Sequence, residues 1–139
     1  MNFKVKNIGI IVLAASALIC LPLSANAEVT DLGLCKGAVA VAMMKDPEII
    51  KGRMVNGTPH VSYVRSVDGS RWDFKCKFPE SGLVIWAGKD KSSGEWGRWR
   101  DMRMDSRIFY SETSDGVEFK EVMRGSTVVT KVFEYSVLD

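Results

Sequence analysis

His60 is the single histidine of the sequence, and most nucleophilic triads and zinc sites depend on histidine. It follows Pro59 beside a predicted turn, and no motif nearby marks a serine or cysteine as a nucleophile. One imidazole without such a partner does not make a triad or a zinc centre. We therefore interpret His60 as a surface histidine at the edge of a hairpin.

Three further patterns could support chemistry. Residues 88–94 have the composition of a phosphate loop but lack its glycine–lysine–hydroxyl order, and they are interpreted as a flexible loop. Met102 and Met104 are soft ligands that suit copper, yet no further methionine or histidine accompanies them. The 17 acidic residues make chance carboxylate pairs easy, and no spacing singles one pair out. We predict no catalytic residue, no metal and no cofactor, so the protein is not expected to be an enzyme.

The first 27 residues have the pattern of an export signal. Residues 1–7 are short and positively charged, residues 8–23 are almost wholly apolar, and residues 25–27 place small side chains where a signal peptidase reads them. This predicts a secretory signal peptide over residues 1–27 and a single globular domain over residues 28–139.

An uncleaved membrane anchor and a lipoprotein are the alternatives to a cleaved signal. The apolar run is interrupted by Pro22 and is short for the roughly 20 residues that span a bilayer. A lipidated Cys20 would need a small residue before it, and Ile19 stands there. We expect a periplasmic or secreted bacterial protein without membrane insertion after cleavage.

Removing the signal changes the charge of the chain. The formal net charge is +2, and Lys4 and Lys6 leave with the signal, so the remaining domain is formally neutral. Nucleic-acid binding favours clustered positive charge, and we therefore expect no nucleic-acid partner.

Cys35 and Cys76 are the two cysteines that remain in residues 28–139. An even number of cysteines in an exported chain predicts a disulfide. Their wide separation fits neither a CxxC redox pair nor a zinc site. Closing a loop of about forty residues would stabilise the fold by roughly 4 kcal/mol.

A helix is predicted at the start of the mature chain. Thr30 or Asp31 can cap it, and Asp46-Pro47 ends it after about Lys45, because a residue before proline disfavours helical geometry. Five apolar residues share one helical face: Leu32, Cys35, Val39, Ala42 and Met43.

The rest of the chain shows the alternation of β-strands. In residues 71–78 the side chains of Phe74 and Cys76 point one way and lysines point the other, which brings Cys76 within reach of Cys35. We predict an α+β fold in which one N-terminal helix packs on an antiparallel β-meander, a curled sheet or partial barrel, with one disulfide. About seven strands are expected, over residues 49–55, 60–67, 71–78, 83–87, 107–113, 117–124 and 128–137.

Residues 83–107 hold three of the four tryptophans. Within this segment, tryptophan and arginine alternate over residues 96–100. Both residue types are enriched at binding hot spots. Alternatively, if residues 95–102 form a strand, Trp96 and Trp99 face opposite sides and one ring fills the core, with arginines stacked internally. The predicted partner-binding residues are Trp96, Arg98, Trp99, Arg100 and Arg103.

A rigid scaffold that carries one long loop, residues 88–105, favours a binding function. We expect a protein-binding module whose partner is another protein of the envelope or secreted space. In size and architecture it is similar to bacterial periplasmic inhibitors and immunity or accessory proteins.

The alternative is a carrier of a small apolar ligand, with a pocket between helix and sheet lined by Tyr63, Trp72, Phe74, Trp86, Phe109, Phe119, Phe133 and Tyr135.

Overall fold

The structure, a computed structural model, describes residues 15–20 and 28–139. The predicted signal peptide therefore lies mainly outside the described residues. Residues 15–20 are irregular and exposed, including Cys20. In the described part of the chain, no helix is long and apolar enough to cross a membrane.

Helix α1 spans Asp31–Met43. The Thr30 hydroxyl accepts a hydrogen bond from the Gly33 amide at 3.0 Å, which satisfies a donor of the first turn. Met44, in the left-handed region at φ 52°, ends the helix slightly before the predicted residue. The buried side of α1 is also wider than the predicted single face, since the run from Gly37 to Val41 is wholly buried.

Seven strands follow in a single antiparallel sheet, and each strand pairs with the next along the chain. At Asn56 and Gly57 both φ angles are positive, 49° and 78°, as a two-residue hairpin between the first two strands requires. The described strands β1 and β7 do not pair, so the sheet is open. The strands are β1 (Lys51–Val55), β2 (Thr58–Val64), β3 (Arg71–Lys77), β4 (Leu83–Gly88), β5 (Arg107–Glu112), β6 (Val117–Met123) and β7 (Ser126–Phe133).

Two short helical elements were not predicted from the sequence. A 3₁₀ turn at Pro47–Ile49 precedes β1, and the Asp46 side chain caps it. The last predicted strand, residues 128–137, extends too far. Strand β7 ends at Phe133, and the chain then forms the short helix α2 at Tyr135–Leu138. The α+β class and the antiparallel sheet are confirmed.

The predicted disulfide joins α1 to β3. Cys35 and Cys76 are bonded, with 5.7 Å between their Cα atoms and a sequence separation of 41. Both residues are almost fully buried. Helix α1 approaches the sheet closely at Gly37, where an added Cβ would lie 2.2 Å from the Cζ atom of Phe119. Helix α1 contacts all seven strands, so the core lies between it and one face of the sheet, the inner face.

Candidate functional site

The opposite side of the sheet, the outer face, carries an unexpected buried layer on β4. Lys75 and Lys77 of β3 pair with Ala87 and Ile85, so these four side chains point to the outer face. Ile85 is 2% exposed and Ala87 is fully buried, although neither belongs to the core under α1. Another part of the chain must therefore exclude water from this face.

The segment of residues 88–105, between β4 and β5, provides this cover. The Gly97 amide donates to the Gly88 carbonyl at 2.8 Å, and the Arg100 amide donates to the Trp86 carbonyl at 2.9 Å. Because β4 pairs with β5 at Leu83 and Val84, these bonds occupy the remaining edge of β4. The 88–105 segment is irregular, as expected, but it is attached to the sheet along its length.

The glycine- and serine-rich start of this segment forms an ordered turn. The Asp90 carboxylate accepts hydrogen bonds from the amides of Ser92 and Ser93 at 2.9 and 2.8 Å and from both hydroxyls. These bonds, chiefly the one from the Ser92 hydroxyl, lower the pKa of Asp90 to about 2. The interpretation of residues 88–94 as a flexible loop is therefore replaced by a turn braced by one carboxylate.

The two tryptophans of the segment lie beside the lysines of β3. Lys75 Nζ is 4.8 Å from the centroid of the Trp96 ring and 4.9 Å from that of Trp99, and Lys77 Nζ is 4.8 Å from the Trp99 ring. Lys89 Nζ approaches the Trp96 ring to 5.5 Å. Both rings are half-buried. Cations over indole rings are attracted by the negative charge of the ring faces.

The His60 ring meets the Trp96 ring edge-on, with 5.1 Å between centroids. We call the set of His60, Lys75, Lys77, Lys89, Trp96 and Trp99 the cation–aromatic ladder. The segment 95–102 is not a strand, so the two rings do not point to opposite sides as a strand would require. Both instead flank Lys75 on the outer face.

The predicted arginines have different surroundings. Arg98 donates to both carboxylate oxygens of Asp105, at 2.6 and 2.8 Å, and to the Trp99 carbonyl. The Arg100 guanidinium lies 5.3 Å from the centroid of the Trp86 ring of β4, and its side chain is 47% exposed, so it does not form the internal stack on Trp96 or Trp99 that the alternative interpretation expected. Arg103 is exposed. Arg98 and Arg100 therefore make contacts within the segment and with β4, although both are more exposed than Trp96 and Trp99.

Asp105 is the centre of this bracing. Its side chain is 11% exposed and also accepts a hydrogen bond from the Met102 amide at 2.9 Å. The hydrogen bonds from Arg98 are the main reason that the pKa of Asp105 falls to about 2. A carboxylate that stays ionised fixes the end of the segment before β5 begins.

Sequence reasoning missed the lysines of β3 as parts of the site. The alternation of apolar and charged residues along β3 predicts that Lys75 and Lys77 lie on the solvent-facing side of the sheet. The structure places them on that side. One signal in the sequence could have identified these lysines. The tryptophan-rich segment follows β4, and β4 lies next to β3 in the sheet. Large rings in that segment need a surface to pack on, and the adjacent strand β3 offers one.

A polar cleft of about 450 Å³ adjoins the ladder on the outer face. Four cationic side chains line it together with His60 and Trp96: Lys51, Arg53, Arg71 and Lys89. Among the described residues Asp73 is its one acid, and the Asp73 carboxylate accepts a hydrogen bond from Arg71 at 3.0 Å.

His60 reports the charge of this cleft. Its pKa is lowered first by burial and then by Lys75, Arg53 and Lys89, while Asp73 opposes the shift. Burial and, to a smaller extent, the surrounding cations therefore favour the neutral form of the imidazole. Within residues 15–20 and 28–139, no group of three or more His, Cys, Asp or Glu side chains is placed to hold a metal ion.

A second cleft, of about 610 Å³, lies between the end of α1 and β7. Apolar side chains of both elements, among them Val41, Met44, Val129 and Phe133, line it, and charged residues such as Lys131 stand beside them. Of the eight aromatic residues predicted to surround a ligand, Phe133 lines this cleft. The other seven do not line it: Tyr63, Phe74 and Phe119, for example, lie in the packed core and Phe109 lies on the outer face.

Comparison of the chain with models of known protein families, with curated proteins and with solved structures finds no match. The function is therefore argued from the geometry of the two clefts and the ladder.

Proposed function

We propose that the protein is an exported protein-binding module, and that the cation–aromatic ladder with its adjoining cleft is the surface that contacts another protein of the envelope or secreted space. The proposal also includes cleavage of residues 1–27 and a location in the periplasm or outside the cell. The disulfide supports that location, because such bonds persist in oxidising compartments.

The main support for the proposal is that two half-buried indole rings lie beside a row of cations, on a sheet that a disulfide joins to α1. Trp96 and Trp99 are held by backbone bonds of their own segment to β4 and by contacts with Lys75. Rings that are already ordered lose little conformational entropy on binding, so their remaining exposed area contributes efficiently to affinity. Lysines around the rings add a charge that can select the partner.

The test replaces Trp96 and Trp99 together by alanine in the full chain, exported and purified from its own compartment. The matched control is Phe109→Ala, which removes an aromatic ring that is 39% exposed on β5, on the same face and outside the ladder. We expect affinity capture from an envelope extract to retain a partner with the unaltered protein and with the control, and to lose it with the double variant. Equal retention by all three proteins, with folding verified by circular dichroism, would contradict the proposal.

The cleft between α1 and β7 favours one second candidate, a carrier of a small apolar ligand. Its volume of about 610 Å³ falls within the range of ligand-binding pockets, and its walls are largely apolar. Native mass spectrometry of the purified protein tests this function. A co-purifying small molecule that disappears in Val129→Lys supports it, and an unliganded mass under all gentle conditions counts against it.

A further inference from the structure

We infer that the cleft formed by Lys51, Arg53, His60, Arg71, Lys89 and Trp96 binds a carboxylate-bearing segment of the partner protein, with aspartate or glutamate side chains entering the cleft. This inference rests on the proposed function and specifies the chemistry of the partner.

The charge of the cleft is the first argument. Of the described residues that line it, four are cations and one is an acid, and that acid, Asp73, already accepts a hydrogen bond from Arg71. The mature domain as a whole is formally neutral if residues 1–27 are removed. The positive charge of the cleft is therefore a local feature, balanced by acidic residues elsewhere on the domain, and it favours an anionic ligand.

The arrangement of hydrogen-bond donors is the second argument. Arg53 on β1 and Lys89 after β4 are exposed, and neither has an intramolecular ion pair within 4.0 Å among the described residues. Ser62 on β2 contributes a hydroxyl to the lining. A guanidinium, an ammonium and a hydroxyl are suitable donors to a carboxylate.

The Trp96 ring is the third argument, because it distinguishes a side chain from a free ion. Trp96 lines the cleft, and the Nζ atoms of Lys75 and Lys89 lie 4.8 and 5.5 Å from the centroid of its ring. An indole wall beside cationic donors fits the methylene groups of an acidic side chain as well as its carboxylate. Inorganic phosphate would leave that wall unused. Nucleic acid favours a longer positive track than one cleft on a neutral domain.

The experiment uses His60 as an internal reporter, because it is the single histidine of the chain and lines the cleft. The probe is a tetraglutamate peptide with blocked ends, and the matched peptide is tetraglutamine. The imidazole resonances are followed by NMR across a pH series with the purified mature protein. We expect tetraglutamate to shift these resonances and to raise the pKa of His60, since a bound carboxylate opposes Lys75, Arg53 and Lys89. Tetraglutamine should have no effect.

Two variants locate the response. Arg53→Gln with Lys89→Gln should weaken tetraglutamate binding about fivefold to tenfold, as expected for two exposed ion pairs. The control Lys120→Gln removes one cation from the outer face of β6, away from the cleft, and should leave binding unchanged. Equal effects of the control and the double variant would overturn the inference.

Other anions provide the remaining outcomes. A response of His60 to inorganic phosphate or to a single-stranded oligonucleotide, without a response to tetraglutamate, overturns the inference. In the capture experiment, loss of the partner with the tryptophan variant but not with Arg53→Gln and Lys89→Gln leaves the proposed function intact and contradicts the acidic partner. Retention by both variants contradicts the proposed function itself.

Discussion

The inner and outer faces of strand β3 share one backbone and differ in chemistry. On the inner face Phe74 and Cys76 are 3% and 1% exposed, and the disulfide ties them to α1. On the outer face Lys75 and Lys77 lie against tryptophan rings that remain half-exposed. At Phe74 and Cys76 the inner face is buried, whereas the outer face keeps cations and rings in contact with water.

This difference suggests separate roles: the inner face determines the stability of the fold, and the outer face determines binding. In the described part of the chain, no polar or charged side chain is buried, so the inner core is held by apolar packing and one covalent bond. The outer layer is held by hydrogen bonds and ion pairs such as the one between Arg98 and Asp105, which solvent weakens. Substitutions on the inner face should therefore lower the free energy of unfolding, and those on the outer face should mainly change binding.

The largest expected effect comes from the disulfide. Replacing both Cys35 and Cys76 by alanine should lower the free energy of unfolding by about 4 kcal/mol, because the unfolded chain regains the freedom of a loop of about forty residues. Urea unfolding monitored by circular dichroism measures this loss. The control Ser66→Ala, in an exposed turn, should change the value by less than about 0.5 kcal/mol. A double variant as stable as the original would show that the disulfide does not stabilise the fold and would leave apolar packing as the source of inner-face stability.

The close approach of α1 to the sheet gives the second prediction. Gly37→Ala places a methyl group 2.2 Å from the Phe119 ring, which is fully buried and cannot move into solvent. We expect a loss of about 1–3 kcal/mol in the free energy of unfolding, typical of an overpacked core.

A second substitution tests the cause of that loss. Phe119→Leu alone should destabilise the fold, but combined with Gly37→Ala it should cost less than the sum of the two, because the smaller side chain removes the clash. Strict additivity of the two substitutions in a double-mutant cycle would show that the contact is not the cause.

Much of the fold was predictable because local signals and the global fold agree. Alternation along β3 identified its inner residues and so the partner of Cys35, and Asn56-Gly57 marked a hairpin. The C-terminal strand was extended too far because its apolar character continues beyond Phe133. There the Tyr135 hydroxyl donates to the Thr113 carbonyl at 2.8 Å, a tertiary contact that no local pattern contains.

The candidate site was predictable in part. Composition drew attention to Trp96 and Trp99, but their neighbours depend on how the 88–105 segment bonds to β4. That register places both rings beside Lys75, about twenty residues earlier in the chain. The hydrogen bonds of Asp105 hold Arg98 within its own segment, although the Arg98 side chain stays exposed. Such long-range pairings are decided by the whole sheet, and residue types alone do not determine them.

The third prediction concerns the bracing of the outer face. Asp105 has a lowered folded pKa of about 2, so its contribution to stability is present above the unfolded value near 4 and is lost as the pH falls from about 4 to about 2. Asp105→Asn should remove this part of the acid-induced loss and lower stability at neutral pH by less than Gly37→Ala does, because Arg98 is largely exposed. Unfolding curves at several pH values measure both effects. The control Asp115→Asn changes a carboxylate in an exposed turn and should leave the stability at neutral pH unaltered.

The smallest expected effect belongs to His60. Its folded pKa lies below the unfolded value of about 6.5, so the unfolded chain binds more protons between these two values and stability rises with pH there. The contribution of the neutral imidazole is thus complete above about pH 6.5, declines as the pH falls, and is gone below the folded pKa. His60→Gln should flatten this part of the curve. An unchanged slope in the variant would contradict a pKa of His60 that is lowered by burial and by the surrounding cations.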